Sequence, residues 1–247
     1  MAKQRIDKIF SNLGIMSRSE CSKQVRSGLV CVNGICCRSA DEKADPDVDQ
    51  ITYKGQLLDT RTIVCYMLHK PVGCITANDD PHAKTVFDCI EDRRTDLSAV
   101  GRLDKDTTGI LLITNDGDLN HRLLSPRYHV PKTYEALVDG ILKQDDIALL
   151  ERGLDIGDEK PTLPAKCRVL EERADGTSFV ELIITEGRFH QVKRMFEAVE
   201  KPVITLHRSS FGPLALDPDL APGAYRELTP EEFGLLNGAA GRPLPSG

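Results

Sequence analysis

The chain has 247 residues, 40% of them hydrophobic, which is enough to bury a core in one large domain or in two of unequal size. No stretch reaches the roughly 18 apolar residues that a membrane helix needs, and the amino terminus lacks the apolar core of a signal peptide. We therefore expect a cytoplasmic protein with no membrane partner. The eight cysteines contain no C-x-x-C pair, which predicts reduced thiols and no metal site.

The formal net charge of -6 argues, as an average, against a nucleic-acid partner. The charge is unevenly distributed, however, because the first 40 residues hold seven Lys or Arg side chains against two carboxylates. The seven are Lys3, Arg5, Lys8, Arg18, Lys23, Arg26 and Arg38. A basic amino-terminal region on an acidic body favours binding to RNA or DNA, and a solvated helix face is the alternative.

The first 40 residues predict two helices followed by a hairpin. Apolar residues repeat with helical spacing within residues 5–14. A second helix is expected to begin at the N-cap Ser17, with Glu20 in the capping-box position, and to end at Gly28. The dipeptide Asn33-Gly34 lies between two short apolar runs and is the strongest signal for a two-residue hairpin turn.

Three segments carry a resemblance to a known domain: Arg5-Ile6-Asp7-Lys8, residues 14–19 and residues 28–34. In this order they resemble the small RNA-binding domain named after ribosomal small-subunit protein four, and we assign residues 1–60 to it. The resemblance implies an RNA partner. The candidate RNA-binding residues of this domain are Arg5, Arg18, Lys23 and Arg26.

A polar stretch at residues 59–62 marks the expected domain boundary, so residues 61–235 form the second domain. Strands are predicted at 63–68, 110–114, 133–138, 166–170, 178–184 and 203–206. Helices are predicted at 118–124, 144–152 and 190–199. The order predicts an α+β fold with a mainly antiparallel sheet. The Gly/Pro/Ala-rich residues 236–247 are predicted to be a flexible tail.

Asp104 is the strongest catalytic candidate. It lies in the run from Gly101 to Gly109, between an apolar approach at 97–100 and the buried strand predicted at 110–114. Loops held by a rigid scaffold often carry chemistry, although Asp in a loop is more commonly a turn former or helix cap.

Three clusters that are far apart in the sequence have to be considered together. They are Lys70-Pro71-Val72-Gly73, the Asp104 loop, and residues 187–195. With residues 121–127 and 132–134, they resemble the RsuA-like family of ribosomal pseudouridine synthases over nearly the whole chain. The resemblance implies isomerisation of a specific uridine in ribosomal RNA by base flipping, with no cofactor. The sequences of residues 125–129 and 189–195 are most similar to those of the branch acting on small-subunit 16S rRNA.

The resemblance also implies roles for three residues. Asp104 matches the catalytic aspartate, and its choice between nucleophile and base stays open. Tyr134 matches a tyrosine that packs on the flipped base and helps to remove the carbon 5 proton, while a packing role is its alternative. Lys193 matches the cation that pairs with the aspartate; its alternative is a solvated helix charge.

Further basic residues are candidate RNA contacts. By resemblance, Arg102 fills the space of the extruded base or holds phosphate. His190 has Gln191 beside it and no obvious partner in the sequence, so we expect a structural or RNA-contact role for it rather than a catalytic one. The other candidates are Arg122, Arg127, Arg188, Arg194 and Arg208, each of which is alternatively an ordinary surface charge.

Three other functions remain possible from the sequence: a large-subunit 23S rRNA synthase, a non-catalytic RNA-binding ribosome-assembly protein, and an unrelated hydrolase that uses two carboxylates. The expected partner is ribosomal RNA, either free or within a small-subunit assembly intermediate. We expect the protein to be a monomer.

Overall fold

The computed structural model describes residues 3–60, 63–92 and 94–242. The chain forms two compact units, one from residues 1–64 and 90–98 and the other from residues 65–89 and 99–247. Residues 90–98 therefore join the amino-terminal unit, although the sequence pattern assigns them to the second domain. Thr95 holds them there, since its backbone N–H donates to Asn12 O at 3.1 Å and its hydroxyl to Ser11 O at 3.2 Å. Arg61 and Thr62, at the expected boundary, lie outside the described residues.

Two helices and short strands build the amino-terminal unit. Its elements are β1 (Gln4–Arg5), α1 (Ile6–Asn12), α2 (Arg18–Arg26), β2 (Val30–Val32), β3 (Ile35–Cys36), β4 (Lys43–Ala44), β5 (Ile51–Tyr53) and β6 (Gln56–Leu57). The strands form one sheet in the order β3-β2-β5-β6 and a separate β1-β4 pair. The buried core of the amino-terminal unit is formed by Ile6, Ile9, Phe10, Cys21, Val25, Val30, Cys37, Ala40, Ala44 and Ile51.

Local signals in the sequence explain these elements. The Ser17 hydroxyl accepts from the Glu20 N–H at 3.2 Å and caps α2, as predicted. Asn33 and Gly34 have φ angles of 50° and 80°, the left-handed pair that a tight hairpin turn requires. The predicted order of two helices and a hairpin is thereby confirmed.

A large sheet organises the second unit. Its strands are β7 (Cys65–Lys70), β8 (Ser98–Ala99, of which Ala99 belongs to this unit), β9 (Thr107–Thr114), β10 (Lys132–Asp139), β11 (Lys166–Glu172), β12 (Thr177–Ile184), β13 (Val203–Phe211), β14 (Leu214–Ala215) and β15 (Tyr225–Glu227). The main path runs β11-β12-β10-β13-β9-β7-β15. Adjacent strands on this path are antiparallel except β13 and β9, so the predicted mixed, mainly antiparallel sheet is confirmed.

Helices cover this sheet and complete its core. They are α3 (Gly117–Leu124), α4 (Gln144–Arg152), α5 (Gln191–Ala198) and α6 (Pro230–Ala239), with short 3₁₀ turns at Val86–Cys89 and Pro126–Tyr128. Strands β7 and β9, helix α3 and helix α6 meet in one buried cluster that includes Met67, Ile110, Leu119, Phe211 and Leu236. Within the described ranges, no helix is long and apolar enough to cross a membrane.

The expectation of a flexible tail from residue 236 is wrong for the described part of that segment. Thr229 and Glu232 form a capping box that starts α6, and Leu236 is fully buried. Arg242 then donates to Asp116 Oδ2 at 2.5 Å. The segment is rich in Gly and Ala, but burial of its apolar side chains stabilises a helix there. Residues 243–247 lie outside the described residues.

Candidate active site

Hydrogen bonds from Thr76 and Lys70 fix the loop that carries Asp104. Thr76 Oγ1 donates to Leu103 O at 2.8 Å, and the Leu103 N–H donates back to Thr76 Oγ1 at 3.1 Å. The ammonium of Lys70, which is fully buried at the end of β7, donates to Thr107 O at 2.9 Å. Burial lowers the pKa of Lys70 below its ordinary value. Lys70 therefore joins the first of the three clusters to the Asp104 loop.

Asp104 faces the loop before α5 and the start of that helix. Its carboxylate oxygens lie 3.4 Å from His190 Nε2 and 3.4 Å from Lys193 Nζ. Lys193 makes a closer ion pair with Asp106 Oδ1, at 2.5 Å. This hydrogen bond is the main reason that the pKa of Asp106 lies below its ordinary value. The Asp104–Lys193 contact agrees with the sequence prediction, whereas the sequence pattern assigns Asp106 no part in it.

A pocket of about 830 Å³ opens beside Asp104. Asp104, Tyr134, His190 and Lys193 all line it, and 28% of the Asp104 side chain is exposed. Tyr134 is almost buried, at 8% exposure, on the same face of β10 as the pocket-lining Lys132. A volume of several hundred Å³ is typical of sites for small molecules and cofactors.

The deep part of the pocket contains two buried cations. Lys132 and Arg208 are 6% and 2% exposed, and both line the pocket. Burial, and secondarily the nearby Arg208 guanidinium, lowers the pKa of Lys132 to about 8. Sequence reasoning assigns no role to Lys132 beyond its place before Tyr134, because only the sheet brings it close to Arg208.

Arg188 and Arg194, two of the predicted RNA contacts, are engaged within the protein. Arg188 donates to Glu186, Lys160 O and Pro161 O, while Arg194 pairs with Asp158 at 2.5 Å. These bonds tie the loop before α5 to the 156–161 segment. The two guanidinium groups therefore position His190 and Lys193, and an RNA contact by either would have to share donors already in use.

The pocket rim carries an exposed aromatic side chain. Phe189 is 76% exposed and stacks on the His190 ring, with centroids 3.8 Å apart and planes inclined by 17°. His190 has a left-handed backbone, with φ of 49°, immediately before α5. This turn directs the imidazole toward Asp104. No sequence signal distinguishes Phe189 from an ordinary apolar residue.

The remaining predicted RNA-contact residues of this unit differ in their surroundings. Arg102 is exposed and lines the pocket, as its predicted role requires. Arg122 donates to Asp118 and to the Tyr128 hydroxyl, and the exposed Arg127 lies 5.9 Å from the Tyr128 ring centroid. Arg102 thus adjoins the Asp104 pocket, whereas Arg122 and Arg127 flank Tyr128.

The basic residues of the amino-terminal unit lie on or near α2. Arg18 is exposed, Lys23 lies 3.4 Å from Glu20, and Arg26 donates to Ser22 O. Arg5 makes two hydrogen bonds with Asp7 and, with Arg26, lines a shallow pocket of about 300 Å³. These cations form a basic surface on the unit, with Arg5 partly neutralised by Asp7.

Comparison with known proteins identifies the class. The family described as RNA pseudouridylate synthase matches residues 64–198, and the S4 domain matches residues 4–49. This chain belongs to the RNA pseudouridylate synthase family and carries an S4 domain, so the resemblances inferred from sequence are confirmed.

Individual relatives cover almost the whole chain. The uncharacterized RNA pseudouridine synthase YtzG of Bacillus subtilis is 44% identical over 94% of this chain and 98% of its own length. The ribosomal small subunit pseudouridine synthase A of Escherichia coli K12 is 40% identical over 93% and 98%. A crystal structure of a pseudouridylate synthase superimposes with a TM-score of 0.65 at 37% identity, covering 94% of this chain and 99% of that one.

Proposed function

We propose that this protein isomerises a specific uridine of small-subunit 16S rRNA to pseudouridine. The observation that carries the proposal is Asp104, whose carboxylate borders the pocket between Lys193 and His190. The similarity to ribosomal small subunit pseudouridine synthase A supports the choice of RNA. No observation favours the 23S or the non-catalytic alternative.

The chemistry begins at the sugar. As the C1′–N1 bond of the target uridine breaks, positive charge develops on the ribose, and the Asp104 carboxylate stabilises it by bonding to C1′ or by removing a sugar proton. The detached uracil turns and bonds to C1′ through C5; this step breaks the Asp104–C1′ bond, or, if Asp104 has removed a sugar proton, returns that proton to the sugar. N1 then gains a proton and C5 loses one, so the product is an isomer of the substrate. Tyr134 packs on the base and assists removal of the C5 proton.

The target nucleotide must leave its stacked position to reach Asp104, which costs a few kcal/mol. Arg102, exposed at the pocket, occupies the space of the extruded base or binds phosphate. Lys193 places a cation 3.4 Å from the Asp104 carboxylate. A cation at this distance stabilises the ionised carboxylate that the chemistry needs.

The two domains divide recognition from chemistry. Residues 1–60 bind RNA, chiefly through Arg18, Lys23 and Arg26, and residues 61–235 perform the isomerisation. The partner is ribosomal RNA, presented free or in a small-subunit assembly intermediate, and the protein acts as a cytoplasmic monomer. The S4 match and the basic surface near α2 support the assignment of recognition to the first domain.

Primer-extension mapping of carbodiimide-treated rRNA, naked or partly assembled with ribosomal proteins, tests this function. Wild type should produce one new stop in 16S rRNA, and Asp104→Asn should produce none while binding RNA with unchanged affinity. Asp139→Asn, which alters an exposed carboxylate at the end of β10, is the matched control and should behave as wild type. A stop in 23S rRNA would overturn the substrate, and activity of Asp104→Asn would overturn the mechanism.

A further inference from the structure

The two buried cations of the pocket lie on neighbouring strands. Antiparallel pairing of β10 with β13 sets Tyr134 opposite Arg208 and Lys132 opposite Phe211. Lys132 and Tyr134 are two residues apart on one strand and so share a face. All four side chains line the pocket that contains Asp104.

Within the described part of the chain, the hydrogen bonds of the two cations reach only backbone carbonyl groups and leave their charges without a counter-charge. Lys132 Nζ donates to Val130 O at 2.9 Å, and Arg208 Nε donates to Ile110 O at 2.8 Å. Arg208 Nη2 is buried and has no hydrogen-bond partner, and no ion pair among the described residues includes Lys132 or Arg208. Their ammonium and guanidinium groups lie 5.4 and 5.2 Å from the Phe211 ring centroid.

This arrangement is energetically unfavourable. Burying a charge without a counter-charge is costly, and a second like charge nearby adds to the cost. Glu186 is the one carboxylate that opposes the lowered pKa of Lys132. Clusters of this kind occur at functional sites, where a ligand or a transition state supplies the missing charge.

We propose that Lys132 and Arg208 form an anion subsite that stabilises the uracil ring when it leaves the ribose with a negative charge. The inference rests on the proposed isomerisation and assigns two residues to one of its steps. When the C1′–N1 bond breaks, its electron pair passes to the ring and delocalises over N1, O2 and O4. Rebonding through C5 consumes this charge, so no oxidant, reductant or co-reactant is needed.

The burial of the two cations favours the uracil ring, rather than an RNA phosphate, as the group that they bind. Asp104, which acts at the sugar, is 28% exposed, while Lys132 and Arg208 are almost completely buried. A nucleotide with its sugar at Asp104 therefore extends its base, rather than its phosphate, toward the cations and Tyr134. Charge that is absent from the substrate and develops only on bond cleavage gives selective stabilisation of the transition state.

Kinetics separate the base anion from a phosphate. Lys132→Met and Arg208→Met should each lower the single-turnover rate at saturating rRNA by about a hundredfold, with Kd for RNA within about twofold of wild type. Lys166→Met, which removes an exposed lysine of β11, is the control and should change neither quantity. A weakened Kd and a shallower salt dependence at an unchanged rate would assign the cations to phosphate and overturn the proposal.

Ligand binding to the wild-type protein provides a test that does not depend on the variants folding. Calorimetric titration compares uracil with 5-nitrouracil, which is an anion at neutral pH. We expect the anion to bind about tenfold more tightly, and folded Lys132→Met to lose that preference. Equal affinities, or no measurable binding of the anion, would overturn the subsite. If wild type forms no pseudouridine at all, the proposed function itself has failed, which is a separate outcome.

Discussion

Lys193 contacts two carboxylates, and they differ in exposure. Asp106 is 68% exposed and accepts the closer contact at 2.5 Å, while Asp104 is 28% exposed at 3.4 Å. We expect Lys193→Met to lower the single-turnover rate by tenfold or more, because Asp104 loses its cation. Lys193→Arg should recover most of the rate.

Asp106→Asn isolates the second carboxylate and should leave the rate within about threefold of wild type. Its ion pair is largely solvated and contributes little to stability, and Lys193 keeps its contact with Asp104. The measurement is single-turnover formation of pseudouridine by each variant. If Asp106→Asn lowers the rate as much as Lys193→Met does, Asp106 takes part in catalysis. The view that Lys193 acts through Asp104 alone would then be wrong.

The pKa of Lys132, about 8, predicts opposite pH dependences of rate and stability. Arg208, Glu186, the Phe211 ring and the Val130 carbonyl surround this ammonium. Because the unfolded chain keeps its proton up to the ordinary value of 10.5, unfolding takes up a proton between these pH values. The free energy of unfolding therefore rises with pH from about 8 to 10.5, by about 3 kcal/mol from this group.

The rate should fall over the same range, since the anion subsite loses one of its charges. Lys132→Arg keeps its charge at every pH and should lack this fall. Single-turnover rates and urea unfolding of both proteins between pH 6 and 10 provide the comparison. Identical profiles for the two proteins would show that another group controls the alkaline limb.

At the scale of elements, the pairing of β9 with β13 depends on one glycine. Gly109 has φ of 111°, and a Cβ there would lie against the backbone of Arg208, 2.6 Å from its N atom and closer still to its carbonyl oxygen. Gly109→Ala must therefore displace β13 or strain β9. We expect it to lower the free energy of unfolding by at least about 2 kcal/mol and to impair activity through Arg208.

Gly117→Ala is the matched control for this substitution. Gly117 begins α3, has an ordinary φ, and has nothing within 4 Å of the position that an alanine methyl group would take. Alanine there should be neutral or slightly stabilising. Urea unfolding midpoints of the two variants decide the matter, and equal midpoints would mean that β13 accommodates the methyl group without cost.

Local signals in the sequence predict several elements but not the site, and the sequence pattern misses α6 although Thr229 and Glu232 form its capping box. The turn at Asn33-Gly34 and the cap at Ser17 act over a few residues, so their patterns predict the observed structure. Family resemblance draws attention to Asp104. The Lys132–Arg208 pair depends on the register of two strands more than 60 residues apart, and no local pattern encodes such a register.

At the scale of the whole molecule, the net charge of -6 conceals an excess of Lys and Arg in the first 40 residues. RNA affinity should depend on the cations of α2, whereas the rate at saturating RNA should depend on the Asp104 pocket. Replacing Arg18, Lys23 and Arg26 together with Gln should weaken binding to 16S rRNA and reduce the slope of log Kd against log salt by about 2. The saturated single-turnover rate should not change.

A second triple variant removes the same charge at a different position, so that the effects of position and of charge on RNA affinity can be separated. Lys166, Arg168 and Arg173 are exposed on or next to β11, and replacing them with Gln changes the net charge by the same amount. Because this surface lies outside the proposed recognition domain, its loss should affect Kd by less than about threefold and leave the salt slope unchanged. Filter-binding titrations over a range of salt concentrations measure both quantities. If the two triple variants weaken binding equally, RNA responds to overall charge, and the assignment of recognition to the amino-terminal unit is wrong.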